Sequence, residues 1–535
     1  MVSVRDYCDE LLRGRETAKD DGVNLWEVLR GHRPDRVTAV DERGPRTFGE
    51  LVQDAETRAL LWSRQGIRPG DVVGVQLPNN WEFMVAHAAL ARLGAVMAPI
   101  HVPYSPAERL RLLQFVRARG WVGSAAATVL PVDLPLADPN EGTGSRLGPV
   151  DVAGHDPLAL FFTSGTHSVK PKPCLHSHAG LIENARTVAA ADGIGDRDVL
   201  VTASPFTHLF GILALHLAWV TGATQVLVDR FRPEAFVTAC HQSQATVAFM
   251  VPTHVRDVLR YLARNPDQKW VGTLRELRVA GAALPPDIVE EVARALDARV
   301  VNHWGMSELG AGLSTHWQDA PSVPVRSIGR PVGSSEVRVV TSGGRQAATG
   351  ETGELWFRGP SLFYGYYRNA EATRESLTTD TRGQVWFKTG DLAAWGSDGR
   401  VEYRGRVKDL VIRGGMKISA LEVETAVLEL PGVRQAALLP EPDSRLGERG
   451  CLVLTLEPTA QYALADVCQH LAERQLAKFK WPERLVVWDS LPTTATGKIA
   501  KAQARERLLR ELKQEELKLE TVLPNGEGES WNNMC

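Results

Sequence analysis

A chain of 535 residues is too long for a single hydrophobic core, so two or more domains are expected. Its composition, 44% hydrophobic and 23% charged, is that of a globular protein with a well-filled core. The formal net charge of -3 disfavours a nucleic-acid-binding protein, because such proteins present a basic surface to phosphates.

Strands and helices alternate through the first part of the chain. Residues 46–100 have the pattern of a helix, an apolar strand, a second helix and a second strand. This alternation predicts an α/β fold with a doubly wound parallel sheet, whose ligands would bind beyond the carboxyl ends of the strands. The loops expected there are 163–178, 204–211 and 281–285.

One uncharged segment, residues 209–228, is long enough to cross a bilayer. Thr221, Gly222 and Gln225 interrupt it, so the sequence predicts a buried helix, a tight turn and a buried strand instead. The N-terminus has no apolar signal core, and the six cysteines form neither a CxxC pair nor a metal-ligand pattern. We therefore expect a cytoplasmic protein with reduced thiols and no membrane span.

After about residue 325 the pattern changes to short alternating strands separated by glycine-containing turns. A smaller α+β pattern begins at residue 419, with helices predicted at 420–430 and 463–476 and strands at 433–439 and 451–457. The sequence thus predicts three regions. They are a large domain (1–405), a small domain (406–510), and a charged helix end with a disordered tail (511–535).

The loop after the apolar segment 158–162 carries groups that suit phosphate. Its first four residues offer hydroxyl and backbone N–H groups, and one of two lysines can add a cation. Alone, this motif indicates a surface turn as readily as a phosphate site. In order, the residues are Thr163, Ser164, Gly165, Thr166, and then Lys170 or Lys172.

Five further motifs follow this loop in the chain. They are PFTHLFG (205–211), NHWGMSELG (302–310), WFKTGD (386–391), YRGRVKDLVIRGGMKISALEVE (403–424) and LPTTATGKIAK (491–501). Together with TSGT, they resemble the ANL superfamily of acyl- and aryl-CoA synthetases, peptide-synthetase adenylation domains and firefly luciferases. The resemblance spans about residues 46–505. It implies a large N-terminal domain of doubly wound sheets plus a distorted β-barrel, and a smaller mobile α+β C-terminal domain.

The resemblance implies a two-step reaction that uses ATP, Mg²⁺ and coenzyme A. ATP and a carboxylate first form an acyl-adenylate and pyrophosphate, and a thiol, most often that of coenzyme A, then displaces AMP. Both reactants of the first step are anionic, so positive charge must stabilise its transition state. Lys498 matches the lysine that reaches the carboxylate and α-phosphate, Glu308 matches the Mg²⁺ ligand, and Ser307 would bond a phosphate oxygen.

The nucleoside would be held by other matching positions. Asp391 would accept both ribose hydroxyls, with Arg406 as the second ribose contact, and Trp304 would lie against the adenine. Taken singly, Asp391 is also an ordinary turn residue, and Trp304 could belong to the core. The remaining implied contacts are Gly281 and Ala282 opposite Trp304, Asn302 near the adenine edge, and Gly305 beside Trp304.

For the second step, the resemblance implies that the small domain rotates about a hinge at Lys408. Lys498 would withdraw, and the loop that contains Gly414, Gly415 and Lys417 would move beside the tunnel for the thiol. Glycines suit a loop that must lie against pantetheine without side-chain obstruction.

The phosphate loop departs from the superfamily pattern Thr-Ser-Gly-Thr-Thr-Gly-x-Pro-Lys-Gly. It is one residue longer, lacks both later glycines, and has a proline at 173 that removes a backbone donor. Alignment backward from His176 makes Lys172 the signature lysine, whereas alignment forward favours Lys170. We expect adenylation to survive, with weaker ATP affinity or slower turnover; a non-catalytic nucleotide-binding homologue is the alternative.

The candidate acyl pocket combines aromatic, small and apolar groups, which favours an aromatic or medium-sized apolar carboxylate. His208 matches a position that guards this pocket, although a buried core histidine is an alternative. The acceptor of the acyl group could instead be a carrier-protein thiol in trans or another nucleophile. The sequence leaves the oligomeric state open, and a homodimer is possible. The pocket residues are His208, Phe210, His254, Ala283, His303 and Leu313.

Overall fold

The computed structural model describes residues 22–123, 147–163, 172–268, 270, 272–282, 284–494 and 498–522. The chain divides into two compact units, Met1–Tyr403 and Arg404–Cys535. Several candidates named above lie outside the described residues. They are Ser164, Gly165, Thr166, Lys170 and Ala283.

The helices of the first unit are α1 (Leu25–Arg30), α2 (Phe48–Arg64), α3 (Trp81–Leu93), α4 (Pro106–Phe115), α5 (His178–Asp192), α6 (Leu209–Thr221), α7 (Pro233–Ser243), α8 (Pro252–Arg264), α9 (Pro286–Leu296), α10 (Val323–Arg326) and α11 (Ala370–Ser376). The strands up to the boundary are β1 (Val37–Asp41), β2 (Gly44–Thr47), β3 (Val72–Gln76), β4 (Val96–Pro99), β5 (Gly120–Gly123), β6 (Pro157–Phe162), β7 (Pro173–Ser177), β8 (Val199–Thr202), β9 (Thr224–Val226), β10 (Val247–Met250), β11 (Glu276–Ala280), β12 (Arg299–Met306), β13 (Gly310–Ser314), β14 (Arg330–Pro331), β15 (Glu336–Val340), β16 (Gly353–Arg358), β17 (Gly365–Tyr366), β18 (Leu377–Thr379), β19 (Val385–Trp395) and β20 (Val401–Arg406).

Two mixed sheets with parallel centres dominate the first unit. One has the order β14-β13-β12-β11-β10-β8-β9-β1-β2, with parallel pairing from β12 to β1, and the other has the order β17-β7-β6-β4-β3-β5. A third sheet, with the order β15-β16-β19-β18, is antiparallel and holds the short strands predicted after residue 325. The predicted α/β class with parallel sheets is confirmed.

The uncharged segment 209–228 folds as its sequence predicts. Helix α6 is buried along nearly its whole length and ends at Gly222, whose φ of 73° places it in the left-handed region that suits glycine. Strand β9 follows at once. In the part of the chain that the structure describes, no helix has the length and apolarity needed to span a membrane.

The second unit has one sheet, with the order β22-β21-β24-β23 and β25 paired to β24. Strands β23 and β24 are longer than predicted, because a cross-strand pair of Glu441 and Arg449 extends the hairpin beyond its apolar centre. The elements are β21 (Leu410–Arg413), β22 (Met416–Ser419), α12 (Ala420–Val427), β23 (Val433–Asp443), β24 (Gly447–Leu456), α13 (Leu464–Glu473), β25 (Arg484–Val487) and α14 (Lys501–Val522), with short 3₁₀ helices at Val407–Asp409 and Lys478–Lys480.

Neutral histidines are packed inside the first unit. The Nε2 atoms of His87 on α3 and His216 on α6 lie 2.8 Å apart, and both residues are almost fully buried. Burial lowers the pKa of His216 and of His178 to about 3, and it lowers the pKa of His87 well below its ordinary value. The folded state therefore excludes protons that these side chains would bind in an unfolded chain.

We expect the first unit to lose stability as the pH falls from about 6.5, where unfolded histidines begin to bind protons, towards about 3, where the folded ones follow. Each such histidine contributes a slope of about 1.4 kcal/mol per pH unit in that window. The measurement is urea unfolding followed by tryptophan fluorescence between pH 7 and pH 4. His216→Phe should reduce the slope by the contribution of one histidine, about 1.4 kcal/mol per pH unit.

The control is His155→Gln, because His155 is exposed and should leave the slope unchanged. Equal slopes for wild type and His216→Phe would contradict the assignment of this pH dependence to the buried histidines.

Candidate active site

The Glu308 carboxylate is held by a tyrosine. Glu308 follows β12 and is 9% exposed, and the Tyr366 hydroxyl donates a hydrogen bond of 2.7 Å to its Oε1. Burial, together with the Glu308 carboxylate, raises the pKa of Tyr366, so the hydroxyl keeps its proton and remains a donor. The backbone of Glu308 is also fixed, because its carbonyl accepts from the Phe363 N–H at 2.8 Å.

The backbone just before Glu308 is fixed by a histidine. His176 Nε2 lies 2.7 Å from the Ser307 carbonyl oxygen, and burial lowers the pKa of His176 to about 4. The neutral ring must therefore carry its proton on Nε2 in order to donate to that carbonyl. A β-bulge between Trp304 and Gly305 shapes the same turn, and a Cβ at Gly305 would collide with the Gly310 carbonyl.

Lys172 lies over the ring of the tyrosine that bonds this carboxylate. Its Nζ is 5.2 Å from the centre of the Tyr366 ring, the ring whose hydroxyl bonds Glu308. Thr163, at the other side of the phosphate loop, directly follows β6. Lys172 and Glu308 therefore both approach the Tyr366 side chain, and the assignment of Lys172 as the signature lysine stays a prediction.

Trp304 and Asp391, both buried, are joined by a hydrogen bond. The Trp304 indole Nε1–H donates to Asp391 Oδ2 at 2.8 Å. Trp304 also belongs to an apolar cluster that includes Leu313. It is therefore a core residue as well as the hydrogen-bond partner of Asp391, the residue expected to bind ribose. A carboxylate oxygen accepts more than one hydrogen bond, so this contact leaves Asp391 able to bind ribose hydroxyls.

The other candidate nucleoside contacts surround the end of β11. Gly281 follows this strand with a φ of 98°, a conformation that favours glycine, and Ala282 is exposed next to it. Asn302 is more constrained, because its side-chain NH₂ donates to the carbonyls of Pro324 and Ser327 at 2.8 and 3.2 Å. Its Oδ1 is the group suited to accept from the adenine amino group.

Part of the candidate acyl pocket is assembled by aromatic contacts. The Phe210 ring lies 6.2 Å from His303 and 5.5 Å from Phe249, and His208 lies 4.7 Å from His101. His254 instead packs on Phe231, with ring centres 4.2 Å apart. Phe210 and His303 thus form one group, whereas His254 belongs to another.

A buried arginine fixes the state of His303. Arg278, which is 0% exposed, lies 2.9 Å from Glu276 and 2.8 Å from Asp192, and its Nη1 lies 2.8 Å from His303 Nε2. Because arginine only donates, His303 Nε2 must accept and the ring proton must be on Nδ1. Burial, followed by the Arg278 charge, lowers the pKa of His303 and keeps the ring neutral.

The second unit carries the other group of candidates, of which Lys408, Lys417 and Lys498 are exposed. Lys498 is exposed, and its carbonyl accepts a hydrogen bond from the Thr494 N–H at 2.7 Å. Lys417 is exposed on β22, after a turn at Gly414 and Gly415, which have φ values of 54° and 84°. Arg406 ends β20, and Lys408 lies in the 3₁₀ helix that follows.

The sequence matches the AMP-binding enzyme family over residues 26–367 and the AMP-binding enzyme C-terminal domain over residues 422–498. The chain belongs to the AMP-binding enzyme family. It is an adenylate-forming member of the ANL superfamily and an ATP-dependent acid–thiol ligase. The resemblance found in the motifs is therefore confirmed.

Similar proteins cover almost the whole chain. The 2-hydroxy-7-methoxy-5-methyl-1-naphthoate–CoA ligase of Streptomyces carzinostaticus is 33% identical, covering 90% of this chain and 92% of that protein. The medium-chain fatty-acid–CoA ligase of Escherichia coli (strain K12) is 28% identical, covering 92% and 91%. The crystal structure of ATP-bound MatB from Rhodopseudomonas palustris has a TM-score of 0.81 at 26% identity, covering 90% of this chain and 98% of that one.

The site of this AMP-binding enzyme suits Mg²⁺ carried by ATP. Among the described residues, no group of three or more His, Cys, Asp or Glu side chains could hold a metal ion by itself. Mg²⁺ is usually bound by one or two carboxylates together with substrate phosphates, and Glu308 supplies one oriented carboxylate. The bound ion would neutralise phosphate charge.

Sequence reasoning missed three residues of this enzyme that support the candidate site. Tyr366 and His176 lie far from Glu308 and Ser307 in the chain, and nothing in their local sequence marks the contact. Arg278 did leave a signal, because charged residues alternate with apolar ones in ELRVA, a strand that is buried throughout. Two charges on one buried strand predict an internal ion pair.

Trp304→Phe tests the bond to Asp391. The phenylalanine ring fills most of the space of the indole, but the hydrogen-bond donor to the buried Asp391 carboxylate is lost. This loss should raise the KM for ATP by roughly tenfold. The measurement is steady-state pyrophosphate release at varied ATP. Trp81→Phe is the matched control, since the Trp81 indole donates to the Asp54 carboxylate at 2.9 Å and so joins helix α3 to helix α2. Equal KM values for the two variants would refute the role of the Trp304 N–H.

Proposed function

We propose that the enzyme joins an organic acid to coenzyme A in two steps. The carboxylate oxygen attacks the α-phosphorus of ATP, and the bond to the pyrophosphate breaks. The thiol sulfur of coenzyme A then attacks the acyl carbon, the bond to AMP breaks, and the thiol proton passes to solvent. Coenzyme A as the acceptor is supported by the names of the two relatives, both acid–CoA ligases.

The observation that carries the proposal is that the first unit contains two neighbouring sets of residues. One set suits the phosphates of ATP, and the other suits its ribose. Lys172 and Glu308 meet at Tyr366, and Trp304, only four residues before Glu308, reaches Asp391. Lys172 offers a cation for phosphate oxygens, and Glu308 offers a carboxylate for Mg²⁺. This arrangement supports the binding of Mg·ATP, the reactant of the first step.

The proposed acid is aromatic or medium-sized and apolar. Phe210, Phe249 and His303 form a ring cluster at the candidate pocket, whereas Leu313 pairs with Trp304 and packs in the Trp304 cluster instead. Arg278 is already paired with two carboxylates, so it is not available to bind an anionic substrate group. The acids named for the two relatives, a substituted naphthoate and medium-chain fatty acids, fall in the same range.

The decisive experiment is a screen of pyrophosphate release across benzoates, naphthoates, cinnamates and C4–C12 acids. We expect release with at least one acid of these classes, and product chromatography should then show its CoA thioester. Thioester formation only on a phosphopantetheinylated carrier protein would change the acceptor. ATP binding without release for any acid in a broader panel would refute the catalytic function.

Lys498→Ala tests the assignment of the first step. We expect adenylation to fall by about 10²–10³-fold, because one cation that stabilises transition-state charge is lost. Conversion of a supplied acyl-adenylate to the thioester should be spared. Lys513→Ala, on exposed helix α14 of the same unit, is the control. An equal loss in both half-reactions would show that Lys498 does not act in one step alone.

A further inference from the structure

Strand pairing places Tyr366 at the base of the phosphate loop. Strand β17 pairs antiparallel with β7, with Tyr366 opposite Cys174 and Gly365 opposite Leu175. The Tyr367 N–H donates to the Pro173 carbonyl at 2.8 Å, directly after Lys172. The backbone that leaves the loop is therefore joined to the segment that carries Tyr366.

The two ends of the Tyr366 side chain meet opposite charges. Its hydroxyl donates to Glu308 Oε1 at 2.7 Å, and its ring centre is 5.2 Å from Lys172 Nζ, which is within the range of a cation–π contact. One rigid aromatic side chain thus lies between the candidate Mg²⁺ ligand and the candidate phosphate cation.

Packing keeps this tyrosine in place. Tyr366 is 5% exposed, its backbone N–H donates to the Thr373 hydroxyl at 3.0 Å, and Phe363 packs edge-on against its ring at 4.9 Å. Both charges act on the neighbouring Cys174. Burial is the main cause of the raised pKa of this thiol, the Glu308 carboxylate raises it further, and the Lys172 ammonium lowers it. The carboxylate and the ammonium therefore lie within electrostatic reach of one buried position.

We propose that Tyr366 is a positioning residue that orients the Glu308 carboxylate towards ATP-bound Mg²⁺ and holds the Lys172 ammonium beside it. Glutamate and lysine side chains both lose rotamer entropy when they are fixed. Tyr366 is packed before the nucleotide arrives, so binding does not have to order both groups. This inference rests on the proposed function, because it assigns Glu308 and Lys172 to Mg·ATP.

The first test separates the hydroxyl from the ring. Tyr366→Phe keeps the ring over Lys172 and removes the donor to Glu308. We expect the Mg²⁺ concentration for half-maximal pyrophosphate release to rise roughly 10-fold, the usual effect of losing a group that orients a metal ligand. The maximal rate at saturating Mg²⁺ should change less. Tyr364→Phe is the matched control, since the Tyr364 hydroxyl donates to the backbone carbonyl of His155 at 2.8 Å.

A binding measurement supplies a second readout without turnover. Calorimetric titration of ATP into the full-length enzyme without acid is done at low and high Mg²⁺ and in EDTA. Tyr366→Phe should weaken binding at low Mg²⁺ and match the wild type in EDTA. An equal loss in EDTA, or Mg²⁺ dependence that matches that of Tyr364→Phe, would overturn the proposal.

A double-mutant cycle tests the ring. Tyr366→Leu should weaken ATP binding beyond Tyr366→Phe, because it also removes the cation–π contact. In a Lys172→Met background this extra loss should disappear. Persistence of the same difference without Lys172 would show that the ring acts through general packing. If no acid supports pyrophosphate release but the titrations follow this pattern, the proposed function fails while Tyr366 keeps its role in Mg·ATP binding.

Discussion

The parallel pairing of β11 with β12 is the constraint on which the candidate site depends. It sets Val279 opposite Asn302 and Ala280 opposite His303, so both strands end at one edge of the sheet. The glycine turn at Gly281 follows one strand, and the Glu308 turn follows the other. Parallel strands deliver such residues to a common edge because their carboxyl ends coincide. This pairing places Gly281, Asn302 and His303 near one another.

Buried polar groups then decide which atoms donate and which accept. His176 must hold its proton on Nε2 because it faces a carbonyl, whereas His303 must hold it on Nδ1 because it faces Arg278. Arg278 in turn is balanced by Glu276 and Asp192. Burial without such partners would cost several kcal/mol for each charge. The ionic core therefore leaves a neutral imidazole facing the candidate acyl pocket.

The altered phosphate loop is best understood through its surroundings. Much of the loop lies outside the described residues, but both of its ends belong to strands, β6 and β7, that pair with each other. Pro173 removes one donor, yet its carbonyl still accepts from Tyr367, as expected for a proline at the first position of a strand. Structural support next to Lys172 is thus provided by tertiary contacts.

The amino-acid sequence alone determined the α/β class, the superfamily and the identity of the candidate charges, because strand and helix periodicity and ordered motifs are local properties of the chain. It predicted correctly that the uncharged segment 209–228 is a helix followed by a turn, since Gly222, which ends the helix, is visible in the sequence. Only the tertiary structure decided that Tyr366 supports Glu308, that Trp304 bonds Asp391, and that His254 lies apart from Phe210. The two hydrogen bonds join residues 58 and 87 positions apart, and no local pattern encodes which distant segments become neighbours.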